Sequence, residues 1–183
     1  ANMYFNKHDY KQAEKFYLEA FKIREKNFGS VHPEVAISLN NLGSFYINQN
    51  QPKEASHYLE QAKDVWEHLF GKVHPDYVLA VNNLIRNYWL TNQNELLNSS
   101  LIESNQIEKT LVLRASRHLS EGELSNYIRT FTSSLDRLFS YTNETGTLTG
   151  LSYNNILFYK GYLLNFASHL TRLAKLDTSL TRK

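Results

Sequence analysis

The 183-residue chain carries 20 Lys+Arg against 18 Asp+Glu, a formal charge of +2 with histidines neutral. That balance argues against a dedicated nucleic-acid surface. A mean hydropathy of −0.49, with no apolar run near the ~20 residues that a bilayer demands, excludes a membrane-spanning helix. Cysteine is absent, which removes disulfides, thiolate metal sites and a cysteine nucleophile from these residues. Only 7 Gly and 3 Pro stand beside 12 Tyr and 10 Phe, a composition of long helices packed through aromatic rings.

The chain starts at Ala1, and Tyr4 and Phe5 already read as the middle of a helix. No basic start, apolar stretch and cleavage site precede them, so the expectation is a cytoplasmic protein of which this chain is a cut piece. Gly29-Ser-Val-His32-Pro33-Glu34 then recurs 42 residues later as Gly71-Lys-Val-His74-Pro75-Asp76. The same offset carries Asn40-Asn41-Leu42 onto Asn82-Asn83-Leu84 and Tyr46 onto Tyr88. Backwards, it carries Tyr46 onto Tyr4, Ala55 onto Ala13, Ala62 onto Ala20 and Phe70-Gly71 onto Phe28-Gly29. Such agreement in three registers defines an internal repeat.

Each unit reads as helix–turn–helix. Pro33 and Pro75 suit the first helical position, and Glu34 and Asp76 face the positive end of the dipole. Val35, Leu39, Leu42 and Tyr46 form the buried stripe of the first helix. Asn50-Gln51-Pro52 breaks it, and Ala55, Leu59, Ala62 and Val65 form the stripe of the second. Gly29 and Gly71 are expected to close the second helices in the αL conformation. The small Ala13, Ala20, Ala55 and Ala62 fit places where helices approach closely.

These residues carry a family resemblance. Leu39-x-x-Leu42-Gly43-x-x-Tyr46 followed by Ala55-x-x-x-Leu59 has the spacing of the tetratricopeptide repeat, whose ordinary unit is ~34 residues. The 42-residue period and the words HPEVAISLNNLGSFY and HPDYVLAVNNLIRNY resemble the kinesin-light-chain type. The resemblance covers residues 1–112: a partial first unit (1–28), a second (29–70) and a divergent third (71–112). In the third, Leu97, Leu101 and Ile107 hold the register, while Leu97 and Ser104 replace two alanines. The fold implied is an all-α TPR-like superhelix, an α-solenoid, capped by long C-terminal amphipathic helices.

Those helices are expected within 113–183. Ser120-x-x-Glu123 reads as a capping box, followed by one stripe of Leu124, Tyr127, Ile128, Phe131, Leu135, Leu138 and Phe139. Thr142–Gly150 reads as a polar turn segment. Ile156, Leu157, Leu163, Phe166, Ala167, Leu170 and Leu173 trace a second stripe, and Asp177–Lys183 a frayed tail. The words ESNQIEKTLVLRASRHLSEGELSNYI and LSYNNILFYKGYLLNFASHLTRL resemble the linker that joins such repeats to a CHAT domain, the caspase-like peptidase module of bacterial TPR–CHAT proteins. The resemblance implies a peptidase parent whose His/Cys dyad lies outside this chain, since no Cys is present to carry it. The chain itself is expected not to be an enzyme.

The face opposite the buried stripe supplies the candidate binding residues. It holds Ile37, Asn40, Ser44, Ile47 and Asn48 in the second unit and Leu79, Asn82, Arg86, Trp89 and Leu90 in the third. The first unit offers Phe5 and Asn6. Stacked first helices line the concave surface of such a superhelix. Asn40 and Asn82 are expected to clamp an extended peptide backbone, because one amide both donates and accepts. Each such bond contributes only ~0.5–1.5 kcal/mol, so Phe5, Ile47, Trp89 and Leu90 supply the apolar share. The alternative role for these asparagines is to bond neighbouring helices.

His32 and His74 sit a whole unit apart without carboxylate or Cys companions, so they read as helix-entry residues and not as metal ligands. No Gly-rich phosphate loop or nucleophile elbow is present, and no cofactor is expected. Asn98-Ser-Ser and Asn143-Glu-Thr match the glycosylation pattern without a secretory context. The mildly basic Arg172, Lys175, Arg182 and Lys183 read as a solvated helix end. The expected partner is a protein or peptide, with a downstream peptidase domain and neither membrane nor nucleic acid. The expected role is a protein-binding regulatory module, the sensor part of a TPR–CHAT protease. Alternatives are a scaffold or oligomerisation module and a partner subunit of a type III-E CRISPR effector.

Overall fold

A computed structural model describes residues 1–160, the side chains at 121, 132 and 133 excepted. The chain divides into two compact units, Ala1–Leu111 and Val112–Lys183, each taken in turn below.

The first unit is built from α1 (Asn2–Asn6), α2 (Tyr10–Phe28), α3 (Pro33–Asn48), α4 (Pro52–Phe70), α5 (Pro75–Leu90) and most of α6 (Asn94–Ala115). Alternate helices fall one period apart, and from α1 to α5 each helix packs on the next. The turns inside the three units are closed identically. His8, Asn50 and Asn92 all take positive φ, at 60°, 55° and 54°. The following N–H groups of Asp9, Gln51 and Gln93 donate to the carbonyls of Tyr4, Tyr46 and Tyr88 at 3.0, 2.9 and 2.9 Å. This six-residue closure is the Schellman arrangement, which satisfies carbonyls that the helix end would otherwise leave bare.

The links between units are equally regular. Pro33 and Pro75 open α3 and α5, and the preceding histidines hold an extended backbone, as residues before proline do. His32 Nδ1 accepts from the Glu34 N–H at 3.2 Å and His74 Nδ1 from the Asp76 N–H at 3.3 Å. Each ring also stacks on the phenylalanine that ends the preceding helix, His32 on Phe28 at 4.5 Å and His74 on Phe70 at 4.6 Å. The recurring Phe-Gly-x-Val-His-Pro word is therefore a joint in which one histidine caps a helix and stacks across the loop. Gly29 and Gly71 have positive φ, but with ψ of 168° and 175°. This is extended left-handed backbone rather than αL, a region open essentially only to glycine. It sends the chain outward to the histidine instead of curling it under the helix.

The core follows the stripes. Val35, Leu39, Leu42 and Tyr46 are buried, as are Ala55, Leu59 and Ala62. Burying one such aliphatic side chain contributes about 1.5–3 kcal/mol. At Gly43 a Cβ would lie 2.3 Å from Leu59 Cγ, so α3 and α4 meet where only glycine fits. Val65 is only half-buried, and Trp66 takes its share of the interior.

In the second unit, α7 (Glu121–Arg129) and α8 (Thr132–Thr145) stand where the sequence predicts one long helix. The expected capping box opens α7, with the Ser120 N–H donating to the Glu123 carboxylate at 2.9 Å. The break falls at Thr130-Phe131, where both N–H groups bond three residues back, to Tyr127 and Ile128. The Thr130 hydroxyl also donates to the Tyr127 carbonyl at 2.6 Å. A hydroxyl competing for backbone acceptors favours such a tight turn over continued helix. The polar turn is shorter than expected: α8 runs to Thr145, Gly146 ends it in αL, and helical backbone resumes over 149–160.

Of the first predicted stripe here, Leu124, Ile128, Phe131 and Leu138 are buried. The second stripe is turned: Ile156 and Leu157 are exposed, whereas Ser152, Asn155 and Tyr159 are buried. A 2.7 Å hydrogen bond between the Ser152 and Thr142 hydroxyls supports the burial of Ser152. The predicted continuation through Leu163, Phe166, Ala167, Leu170 and Leu173, and the basic tail with Arg172, Lys175, Arg182 and Lys183, lie outside the described residues. Among the described residues no helix is long and apolar enough to cross a membrane.

Candidate protein-binding site

The first helices of successive units, α3 and α5, stand side by side. Asn83 Nδ2 donates to Asn40 Oδ1 at 2.9 Å, and Arg86 Nη2 donates to Asn48 Oδ1 at 3.0 Å. Asn48 spends its own amide nitrogen on the Ser44 carbonyl at 2.9 Å. One unit on, Asn82 Oδ1 accepts from the Ser104 hydroxyl at 3.1 Å, and Asn82 Nδ2 donates to Glu108 at 3.4 Å. Both asparagines expected to grip a peptide backbone thus also hold helix to helix.

The other predicted residues separate into two layers. Ile47 is buried, while Phe5, Ser44 and Trp89 are half-buried. Phe5 sits edge-on to the rings of Tyr10 and Phe45, at 5.8 and 6.2 Å. Solvent meets Ile37 at 40% exposure, Leu79 at 50% and Leu90 at 56%. Asn6, Asn48 and Arg86 are also exposed. Asn41 belongs to this surface although the periodicity favours Asn40. Positions 37, 41 and 48 share one face at helical spacing, and the adjoining asparagine points to the neighbouring helix. Hydrogen-bond direction within an Asn-Asn pair leaves no trace in hydrophobic periodicity, because the two residues are chemically identical.

What remains open is a strip of aliphatic side chains alternating with amides and a single guanidinium already engaged by Asn48. It offers apolar contact plus short-range hydrogen bonding, and little net charge. Perturbed ionisable groups lie away from it. Burial, reinforced by a 2.8 Å bond to Glu14, raises the Tyr46 hydroxyl above its usual range. Burial and a 2.9 Å bond to Glu103 do the same for Tyr77. Both are packing features. Among the described residues, no group of three or more His, Cys, Asp or Glu side chains gathers as a metal site would.

Stacked helix–turn–helix units with their first helices aligned define an all-α, TPR-like superhelical scaffold. The tetratricopeptide-repeat family model matches residues 1–67. Two crystal structures of nearly identical TPR-like repeats, from a Podosopora anserina protein described as a kinesin light chain, are similar in fold. They superpose with TM-scores of 0.54 and 0.53, at 14% and 15% identity, over 100% of this chain and 93% of each of theirs. No curated protein matches the sequence. The third unit lies beyond the matched residues, yet α5 and α6 repeat the joint, the cap and the turn of the units before it.

Proposed function

We propose that the repeats dock an extended polypeptide of a partner protein along the face shared by α1, α3 and α5. Tetratricopeptide repeats mediate protein–protein interaction, and a non-catalytic scaffold of this kind agrees with the side chains present. The observation that carries the reading is the exposed strip of Ile37, Asn41, Leu79, Arg86 and Leu90 on adjoining first helices. A moderate affinity is expected, about −8 kcal/mol or Kd in the μM range.

Peptides selected from a random displayed library on the native chain provide the test. Leu79→Glu with Leu90→Glu is expected to weaken them at least tenfold at unchanged helicity. Undiminished binding by that variant contradicts the docking face. In a finer reading, the module is the sensor part of a TPR–CHAT protein that relays docking to a caspase-like domain. The linker-like words at 103–128 and 151–173 support it. The coding sequence on both sides of this chain decides it: a His followed by a Cys in a caspase-like α/β pattern is expected.

A further inference from the structure

The two junctions between second helices use the same positions differently. Between α4 and α6, Lys72 Nζ lies 2.9 Å from Glu103 and 3.9 Å from Glu67. It also stands 6.0 Å from the centroid of the Tyr77 ring, and the Tyr77 hydroxyl donates to the same Glu103 at 2.9 Å. A cation on an aliphatic stem, two carboxylates and an aromatic wall fill that junction.

One period earlier, the corresponding residues are Ser30 for Lys72, Val35 for Tyr77, Glu25 for Glu67 and Gln61 for Glu103. The ring and the ammonium are both missing, and a cleft of about 180 Å³ opens between α2 and α4. Phe21, Val35, Leu39 and Val65 line it with apolar surface, while Glu25 and Asp64 supply carboxylates. Among the described residues no cation pairs with Glu25. Asp64 meets Lys63 at 3.8 Å with a carboxylate 72% exposed, a surface pair of little strength.

We propose that this cleft is a docking site for a lysine or arginine side chain of a partner polypeptide. The stem packs on the valines and Leu39, and the charged head reaches Glu25 and Asp64, in the manner of long basic side chains that bury methylenes and keep the charge at the rim. The molecule supplies its own precedent, because Lys72 occupies the equivalent place one period on. The cleft lies between second helices and is independent of the first-helix face, so either can fail alone.

The test uses methyl-resolved NMR of the full chain with the acetylated, amidated pentapeptide Ala-Ala-Lys-Ala-Ala and its arginine and norleucine counterparts. The lysine and arginine peptides are expected to shift the methyl signals of Val31, Leu39 and Val65. The norleucine peptide and n-butylammonium are each expected to need at least tenfold higher concentration. Ser30→Lys, on an exposed loop, is expected to fill the cleft from within and weaken the lysine peptide at least tenfold. Glu25→Gln with Asp64→Asn provides an independent loss. Equal binding by the norleucine peptide, or by these variants at unchanged circular dichroism, overturns the proposal. Equal binding of n-butylammonium overturns the polypeptide as occupant.

Discussion

The helix pairs α3–α4 and α5–α6 share a template and differ in what holds them. In the first pair, Gly43 lets α3 come down onto Leu59, and Ala55 and Ala62 are wholly buried. Contact there is dry and close. In the second pair Ile85 stands at the glycine position, Ser104 at that of Ala62 and Glu108 at that of Trp66. Asn82, Ser104 and Glu108 form a hydrogen-bonded group in an interior where Glu108 is only 1% exposed. The same backbone geometry thus accepts two kinds of adhesion. Dispersion is tolerant of its partners, whereas a buried polar group must be fully matched and so ties a helix to one neighbour.

The largest expected effect comes from breaking the dry pair. Leu59→Ala is expected to cost about 2–5 kcal/mol, because the closely approached helices cannot collapse fully onto the void. Gly43→Ile, which imports the third unit's residue into the second, is expected to cost about 1–3 kcal/mol by overpacking against Leu59. Together they are expected to cost less than their sum, since the shortened side chain leaves room for the new one. Urea unfolding of the four proteins measures this, and strict additivity would show that the two residues do not share the space.

A smaller effect is expected from the polar pair. Ser104→Ala is expected to lose about 1 kcal/mol, the net worth of a hydroxyl bonded to Asn82 and Glu108. The reciprocal Ala62→Ser is expected to gain less than Ser104→Ala loses, because Asn40 Oδ1 already accepts from Asn83 and the second unit has no counterpart of the Glu108 carboxylate. A gain from Ala62→Ser as large as that loss in thermal unfolding contradicts this account of why the two units differ.

The architecture was legible because several signals coincide every 42 residues. Pro33 and Pro75 mark helix starts, Phe28-Gly29 and Phe70-Gly71 mark ends, and the tyrosine at 4, 46 and 88 accepts the closing bond in every turn. Each is a local steric or hydrogen-bonding demand, which one sequence can display. The candidate face was legible only in part. Ile37, Leu79 and Arg86 follow from the stripe opposite the core, but the same periodicity places Asn40 and Asn82 outward, whereas their amides bond the adjoining helix. The burial of Ser152 in place of Ile156 and Leu157 was hidden for a related reason. A polar residue enters an interior when a partner from elsewhere in the chain meets it, as Thr142 meets Ser152, and periodicity carries no record of that partner.

The smallest effect concerns the Lys72–Glu103–Tyr77 group, which the third unit has and the second lacks. Burial alone would raise the Glu103 carboxyl, but the bonds from Lys72 and Tyr77 outweigh it and hold the group below its ordinary value. A carboxyl depressed in the folded state contributes stability above its unfolded value, ~4.3, and loses it as pH falls through the lower folded value. The hydrogen bond to Glu103 raises Lys72, so its contribution is present below the ordinary lysine value and fades as pH rises through the higher folded one. The pair is thus expected to add a plateau of stability between acid and strongly alkaline pH. Its height is modest, about 0.2–1 kcal/mol, because the Lys72 side chain is half exposed and water screens it. Glu103→Gln is expected to reduce stability at pH 7 and to match the native chain near pH 3, with the difference shrinking in 1 M salt. The same deficit at both pH values would assign Glu103 a packing role and leave its charge without effect. Gln61, the second unit's counterpart, carries no charge, so Gln61→Glu is expected to impart no such acid dependence unless Ser30→Lys accompanies it.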